Sequence, residues 1–306
     1  MGADKGLREG LRNQIAGEVL FDEPADARTS IGVGGRIDAL AFPENEEELA
    51  RLTAFLLERH TPFLPVGNWT NLIVRDGGYR GVLISLGRMR GLNLGENGDG
   101  GVLVKAEAGV ALSELVNLSV RESLTGMEFC AGIPGSVGGA IRMNAGAYGS
   151  EIKDVVAVLR LFDPSGGFRT ANKETLRFSY RNLDLPSETI IVGAVFKLQR
   201  GDGEAIAGRV REIIAGRREK HPLEFRNAGS IFKNPREIPA GRLIEEVGLK
   251  GIRIGDAQIS EKHGNFIVNR GHATAGEILR LITLIQQRVL EATGHVLETE
   301  VKIVGE

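Results

Sequence analysis

The stretch Gly126–Gly149, GMEFCAGIPGSVGGAIRMNAGAYG, holds seven glycines in 24 residues, about twice the density of the whole chain, which has 42 in 306. Glycine at that density weakens any helix or strand it occupies. A fold that keeps it must gain from bare backbone, either in turns with φ > 0 or in peptide N–H groups that a bulky anion can approach. The core of the stretch, Gly132-Ile-Pro-Gly135-Ser-Val-Gly138-Gly139, lacks the G-x-G-x-x-G spacing of a Rossmann turn. It also lacks the lysine that follows the glycines of a P-loop. An ordinary glycine-rich turn has the same composition. Asn144, Ala145 and Gly146 extend the small, polar lining and point instead to a loop that hugs a phosphate or a cofactor.

The remaining chemistry is bounded by charge and sulfur content. A formal net charge of −2 argues against a partner that presents a phosphate backbone, so no nucleic acid is expected. The single cysteine, Cys130, excludes an internal disulfide and suits a reducing compartment. The first residues, MGADKGLREGLRNQIAG, have no apolar core of a secretory signal, and no apolar run is long enough to span a bilayer. A cytoplasmic protein without a membrane partner is expected. The five histidines show no metal-ligand spacing, so no metal is expected either.

Taken in order, a short polar segment over 1–27 leads to Arg28-Thr-Ser-Ile-Gly-Val-Gly-Gly35 and a strand over 38–42. A helix follows over 45–60, with Asn45 as cap, Glu48 at the capping-box position, and Leu49, Leu52, Phe55 and Leu56 on one face. A strand over 62–66 runs into the loop Gly67-Asn-Trp-Thr-Asn71. Strands are predicted at 82–86 and 102–108, separated by a loop at 91–101, then a helix over 111–124 that delivers the chain into the glycine stretch. A hairpin is predicted from 155–162 and 168–170, and a strand over 190–198. Beyond Gly201-Asp-Gly203 the pattern predicts an amphipathic helix over 204–220 whose cationic end, Arg217, Arg218 and Lys220, suits the helix dipole. A short helix over 243–247, a strand over 265–269, a helix from the Thr274–Glu277 capping box to Gly294, and a strand over 296–304 complete the chain. The fold class is α+β, with an appended α/β unit from about residue 205.

Six segments in this order resemble one family: Thr29-Ser-x-x-x-Gly-Gly35, the 67–71 loop, GIPGSVGGAIRMNAGAYG, Phe178-Ser-Tyr180-Arg181, Ala228-Gly-Ser230-x-Phe-Lys-Asn-Pro235 and Leu297-Glu-Thr-Glu300-Val. Together they are similar to the UDP-N-acetylenolpyruvoylglucosamine reductases, from about residue 28 to the end. The resemblance implies a two-subdomain FAD-binding fold of the PCMH/vanillyl-alcohol-oxidase type over 28–200, divided at about 75, and a substrate-binding domain over 205–306. It also implies non-covalent FAD, NADPH as co-substrate, and a UDP-sugar enolpyruvyl ether reduced to UDP-N-acetylmuramate for peptidoglycan synthesis. The implied cofactor residues are Val66, Gly67, Asn68, Trp69, Thr70 and Asn71 on one loop, then Ile133, Pro134, Gly135, Ser136, Gly138, Gly139, Asn144, Ala145 and Gly146. Trp69 stands where the family's G-x-G-S-N loop has its second glycine, and is expected to cover part of the flavin nucleotide. Leu183 occupies a position that is often Ser. Without a tyrosine in an inserted loop, the chain resembles the family's shorter branch.

The implied chemistry assigns roles that can be weighed residue by residue. Reducing a double bond conjugated to a carboxylate develops negative charge, so the site needs a cation and an acid. Arg181 suits the cation, because its planar fork engages a carboxylate, although an exposed turn arginine reads the same way in sequence. Ser230 is the implied proton donor, and strand alternation would point it the same way as Asn234 and opposite to Lys233. Glu300 is the implied partner in protonation, while Glu298 reads as a solvated strand residue. Tyr180, Lys233, Asn234 and His263 complete the implied substrate contacts. Two other readings stay open on sequence alone: another FAD oxidoreductase of the same fold acting on an alcohol or hydroxy acid, and a nucleotide-sugar binder without catalysis.

Overall fold

A computed structural model describes residues 4–96 and 101–306. Three larger sheets follow one another along the chain, among the described residues. The first has the strand order Val19–Pro24, Arg36–Ala41, Tyr79–Ser85, Phe63–Val66, with its last two pairings parallel. The helix Glu46–Glu58 buries Leu49, Leu52 and Leu56 against it, and Asn45 accepts from Glu48 N at 2.9 Å as the spacing predicts. Two elements appear where only a polar segment was expected. Asp4 caps the helix Lys5–Gln14, and Val19–Pro24 adds an edge strand. Leu7, Leu11 and Ile15 fall at i, i+4 and i+8, and all three are buried against Leu49 and Leu52.

The middle sheet is antiparallel in the order Gly167–Asn172, Val156–Asp163, Ile190–Arg200, Gly101–Glu107, Leu92–Glu96. The strand Leu92–Glu96 replaces part of the expected loop, and the rest of that loop, at 97–100, lies outside the described residues. Helices Leu112–Arg121 and Gly203–Lys220 pack into the apolar cluster of this sheet. The second of these was expected to open the C-terminal unit, but Val210 and Ile213 bury against the middle core, beside Phe129 and Leu198.

In the C-terminal part, Arg226–Ser230, Phe266–Asn269, Ala257–Ile259 and Arg253–Ile254 form an antiparallel sheet under the helix Ala275–Thr293. Thr274 and Glu277 make the predicted capping box, and Gly294 ends the helix with φ +73°. Asp76, far away in sequence, adds bonds from Ala275 N at 2.8 Å and Gly276 N at 2.7 Å. The predicted final strand is shorter than its pattern, covering Lys302–Val304 only. It pairs in parallel with Leu72–Val74, the segment that follows the 67–71 loop. Residues 29–33 are gripped from the C-terminal side: Ser30 Oγ donates to the Asn227 carbonyl at 2.7 Å, and Arg226 and Asn269 donate to carbonyls of Thr29, Ile31 and Gly32.

Candidate active site

The two glycine loops face each other. A β-carbon on Gly67 would stand 2.5 Å from Ser136 Oγ, and one on Gly138 would stand 2.8 Å from Ala108 Cβ, so bare backbone is required at both positions. Thr70 Oγ1 donates to the Pro134 carbonyl at 3.1 Å and clips the loops together. Ser136 caps the one-and-a-half-turn helix Val137–Arg142, accepting from Gly139 N at 3.3 Å. Among the described residues, the N–H groups of Gly67, Asn68, Thr70, Gly135 and Ser136 meet no protein acceptor. Donors on two facing loops with no room for side chains fit the phosphates of a dinucleotide such as FAD. Ile133 and Ala145 are half-buried against the middle core, and Gly146 lies in a two-strand hairpin with Ser150–Glu151.

Three loop residues point elsewhere than expected. Val66 sends its side chain into the core. Trp69 has φ +58°, the left-handed region that favours glycine, yet the residue is only 9% exposed. It packs with Ala25, Ile37, Leu72 and Leu83 instead of standing over the loop's outer face. An apolar ring of that size gains more by leaving water than by spanning a polar loop. Asn71 Nδ2 donates to the Glu300 carbonyl at 3.2 Å, and the Asn71 carbonyl accepts from Lys302 N at 3.0 Å. The first loop thereby fixes the backbone of Glu300. Asn144 is the fourth departure: it is fully buried and its side chain bonds only to Ser179, Glu151 and Lys153, so it lines no loop surface.

Glu300 pairs with Arg181. Arg181 Nε and Glu300 Oε1 are 3.0 Å apart, an ion pair without the angle of a good hydrogen bond, with side chains 19% and 17% exposed. Burial raises the Glu300 carboxyl above its ordinary 4.5, against the opposing pull of Arg181 and Lys233. Arg181 sits at the tip of the hairpin Arg177–Ser179/Asn182–Asp184 with φ +56°. Beside it, Tyr180 OH accepts from Asn234 N at 3.3 Å, a second contact from the hairpin to the C-terminal part. Leu183, on the same hairpin, is buried in the middle core, which favours an apolar residue there.

Ser230 ends the strand Arg226–Ser230 after a bulge at Ala228–Gly229, where Gly229 has φ +74°. Glu300 N donates to the neighbouring Ile231 carbonyl at 2.8 Å, so Ser230 and Glu300 lie on adjacent strands of chain. The expected alternation stops at Ser230, because Ile231 and Phe232 are both buried. Lys233 pairs with Glu298 at 3.1 Å on the exposed side, and Asn234 Oδ1 accepts from Ala240 N at 3.0 Å. His263 packs edge-on to Phe266 and His221, and burial lowers its pKa below 6.5.

One residue escaped the sequence reading. Arg217 was left at a helix end, but it lies against Gly132, where a β-carbon would stand 2.8 Å from Arg217 Cδ, and its Nε meets no acceptor among the described residues. Burial lowers its pKa, and the neighbouring Arg181 charge adds to that. The missed signal is periodicity: Arg217 follows Val210 and Ile213 at i+7 and i+4, a cation on the buried stripe. Among the described residues, no group of three or more His, Cys, Asp or Glu could hold a metal, and no helix is long and apolar enough to cross a membrane.

A family profile described as FAD binding domain matches residues 37–172, and one described as UDP-N-acetylenolpyruvoylglucosamine reductase, C-terminal domain, matches 221–304. The UDP-N-acetylenolpyruvoylglucosamine reductase of Syntrophus aciditrophicus is 54% identical over 98% of this chain and 96% of its own. That of Geobacter metallireducens is 45% identical over 97% of each. The crystal structure of the Thermus caldophilus reductase superposes with a TM-score of 0.78 at 36% identity, covering 94% of this chain and 99% of that one. With relatives this similar along almost its entire length, the chain belongs to the UDP-N-acetylenolpyruvoylglucosamine reductase family.

Proposed function

We propose that this chain reduces UDP-N-acetylenolpyruvoylglucosamine to UDP-N-acetylmuramate in the cytoplasm, using non-covalent FAD and NADPH, as a step of peptidoglycan precursor synthesis. The observation that carries this reading is the half-buried Arg181–Glu300 pair beside the Ser230 bulge, opposite two facing loops of unpaired N–H groups. Bound FAD would supply the hydride chemistry, taken from NADPH and given to the enolpyruvyl double bond. Gly67–Thr70 and Gly135–Ser136 would hold its phosphates.

The substrate carboxylate gathers negative charge as the double bond is reduced. Arg181 holds that charge, and Arg217, whose Nε meets no acceptor among the described residues, adds a second cation nearby. Ser230 then gives its proton to the carbon next to the carboxylate. A serine hydroxyl is a weak acid, so it suits a strongly basic carbon of this kind. Glu300, whose carboxyl is raised by burial, keeps Arg181 aimed and assists the protonation. Tyr180 from the hairpin, and Lys233, Asn234 and His263 from the C-terminal part, complete the substrate contacts of this reading. Residues 28–200 serve the cofactor and the part from about 205 serves the nucleotide-sugar, with the helix Gly203–Lys220 shared between them.

Oxidation of NADPH by the yellow, FAD-loaded protein tests the reading. Turnover should require the enolpyruvyl nucleotide-sugar. A colourless protein that FAD does not reconstitute, or turnover with simple alcohols in its place, would refute it.

A further inference from the structure

We infer that Asn144 is a positioning residue that sets the Tyr180–Arg181 turn and, through it, the aim of the guanidinium at the substrate carboxylate. The inference rests on the reductase reading above. Asn144 belongs to the glycine stretch, one residue beyond the C-cap of the helix Val137–Arg142, with φ +40° and no exposed surface. Its amide is fully engaged: Nδ2 donates to the Ser179 carbonyl and to Glu151 Oε2, each at 3.0 Å, while Oδ1 accepts from Lys153 N at 3.1 Å. Both amide hydrogens are used, so none remains for a ligand.

Ser179 and Asn182 are the paired residues that bracket the turn. Of the two residues between them, only Arg181 has φ > 0, the pattern of a type II turn, whose second central position favours Gly or Asn. A side chain at that position relaxes by flipping the middle peptide. The flip returns Arg181 to negative φ and swings its guanidinium away from Glu300. Two contacts oppose this. At the tip, Arg181 pairs with Glu300 at 3.0 Å. At the root, Asn144 grips the Ser179 carbonyl and so fixes the first peptide plane of the turn. Asn144 itself is fully buried, so the exposed Ser179 is gripped from the protein side by a side chain that cannot move away. Left-handed backbone at a functional position persists only where neighbours hold it, and Asn144 is the one that holds the root of this turn.

The test uses the FAD-loaded full chain, with flavin reduction by NADPH and its reoxidation by substrate followed separately by stopped flow. Asn144→Ala should leave reduction within about threefold of the parent. It should slow reoxidation by roughly 30- to 100-fold, the scale of a misaimed catalytic contact. In an Arg181→Ala background the same change should add less than about threefold, because the aim it sets is already gone. Equal losses in both half-reactions, or effects that multiply in the double variant, would overturn the inference. Should Asn144→Ala fail to hold FAD, Asn144→Asp decides in the same assay. It keeps the acceptor for Lys153 N, loses both donors, to Ser179 and to Glu151, and sets a carboxylate beside Glu151, so reoxidation at the parent rate would overturn the inference equally. A parent that shows no substrate-dependent reoxidation would instead sink the reductase reading.

Discussion

Replacement of Trp69 weighs strain directly against burial. Its φ of +58° costs a residue with a β-carbon about 1–2 kcal/mol. The residue, 9% exposed among Ala25, Ile37, Leu72 and Leu83, offsets that by leaving water. Truncating a buried Trp to Ala costs about 3–5 kcal/mol, and Ala keeps the left-handed strain. Gly adopts the same φ freely and recovers about 1 kcal/mol of it. The expected order of stability is therefore parent, then Trp69→Gly, then Trp69→Ala, with gaps of about 3 and 1 kcal/mol. At roughly 2–4 °C per kcal/mol, Trp69→Gly should melt about 6–12 °C below the parent and Trp69→Ala another 2–4 °C or so lower. Far-UV circular dichroism at one fixed excess of FAD reads both shifts, with ligand linkage held constant. If Trp69→Gly melts at or above the parent, strain outweighs burial and the packing argument is wrong. If Trp69→Ala is at least as stable as Trp69→Gly, the position is not held left-handed.

Two further outcomes follow from the site. Ser230→Ala should reduce its flavin with NADPH normally and form product at least about a hundredfold more slowly, and single-turnover product formation within a few-fold of the parent would remove Ser230 as proton donor. Glu300 has a folded pKa above 4.5, so the folded state binds more protons than the unfolded one in that window and stability falls as pH rises through it. Glu300→Gln should therefore melt above the parent at pH 8, with the advantage shrinking as pH drops towards 4.5, and an advantage that grows on acidification would contradict the burial argument.

Elements with a strong period or a cap were legible in the sequence. The Asn45 and Thr274 caps, the Leu49–Leu52–Leu56 stripe and the Gly294 stop all appear where the pattern puts them. The N-terminal helix was not, because Leu7 and Leu11 are isolated among charged residues and gain their burial only from tertiary neighbours such as the helix Glu46–Glu58. Strand alternation misled after Ser230, where the bulge at Gly229 and the paired burial of Ile231 and Phe232 break the period of two. At the site, composition located the glycine loops but not the direction of their side chains. Asn71, Trp69 and Asn144 all turn inward, since each finds a partner that lies more than 30 residues away in sequence or inside a core that only tertiary structure creates. Arg217 was missed because the helix dipole accounts for a C-terminal cation without requiring a ligand.

The parallel pairing of Lys302–Val304 with Leu72–Val74 also bears on how the chain is made. A ribosome delivers residues 67–74 long before their strand partner exists, at some 5–20 residues per second. Until residue 304 emerges, the edge Leu72-Ile-Val74 is unpaired, and Asn71 has no Glu300 carbonyl to hold. Closure over some 230 residues of sequence is slow by topology, and an open apolar edge is an invitation to pair with another chain. The nascent protein therefore completes its first loop last, and the carboxylate at the centre of the site is set in place by the same closing strand.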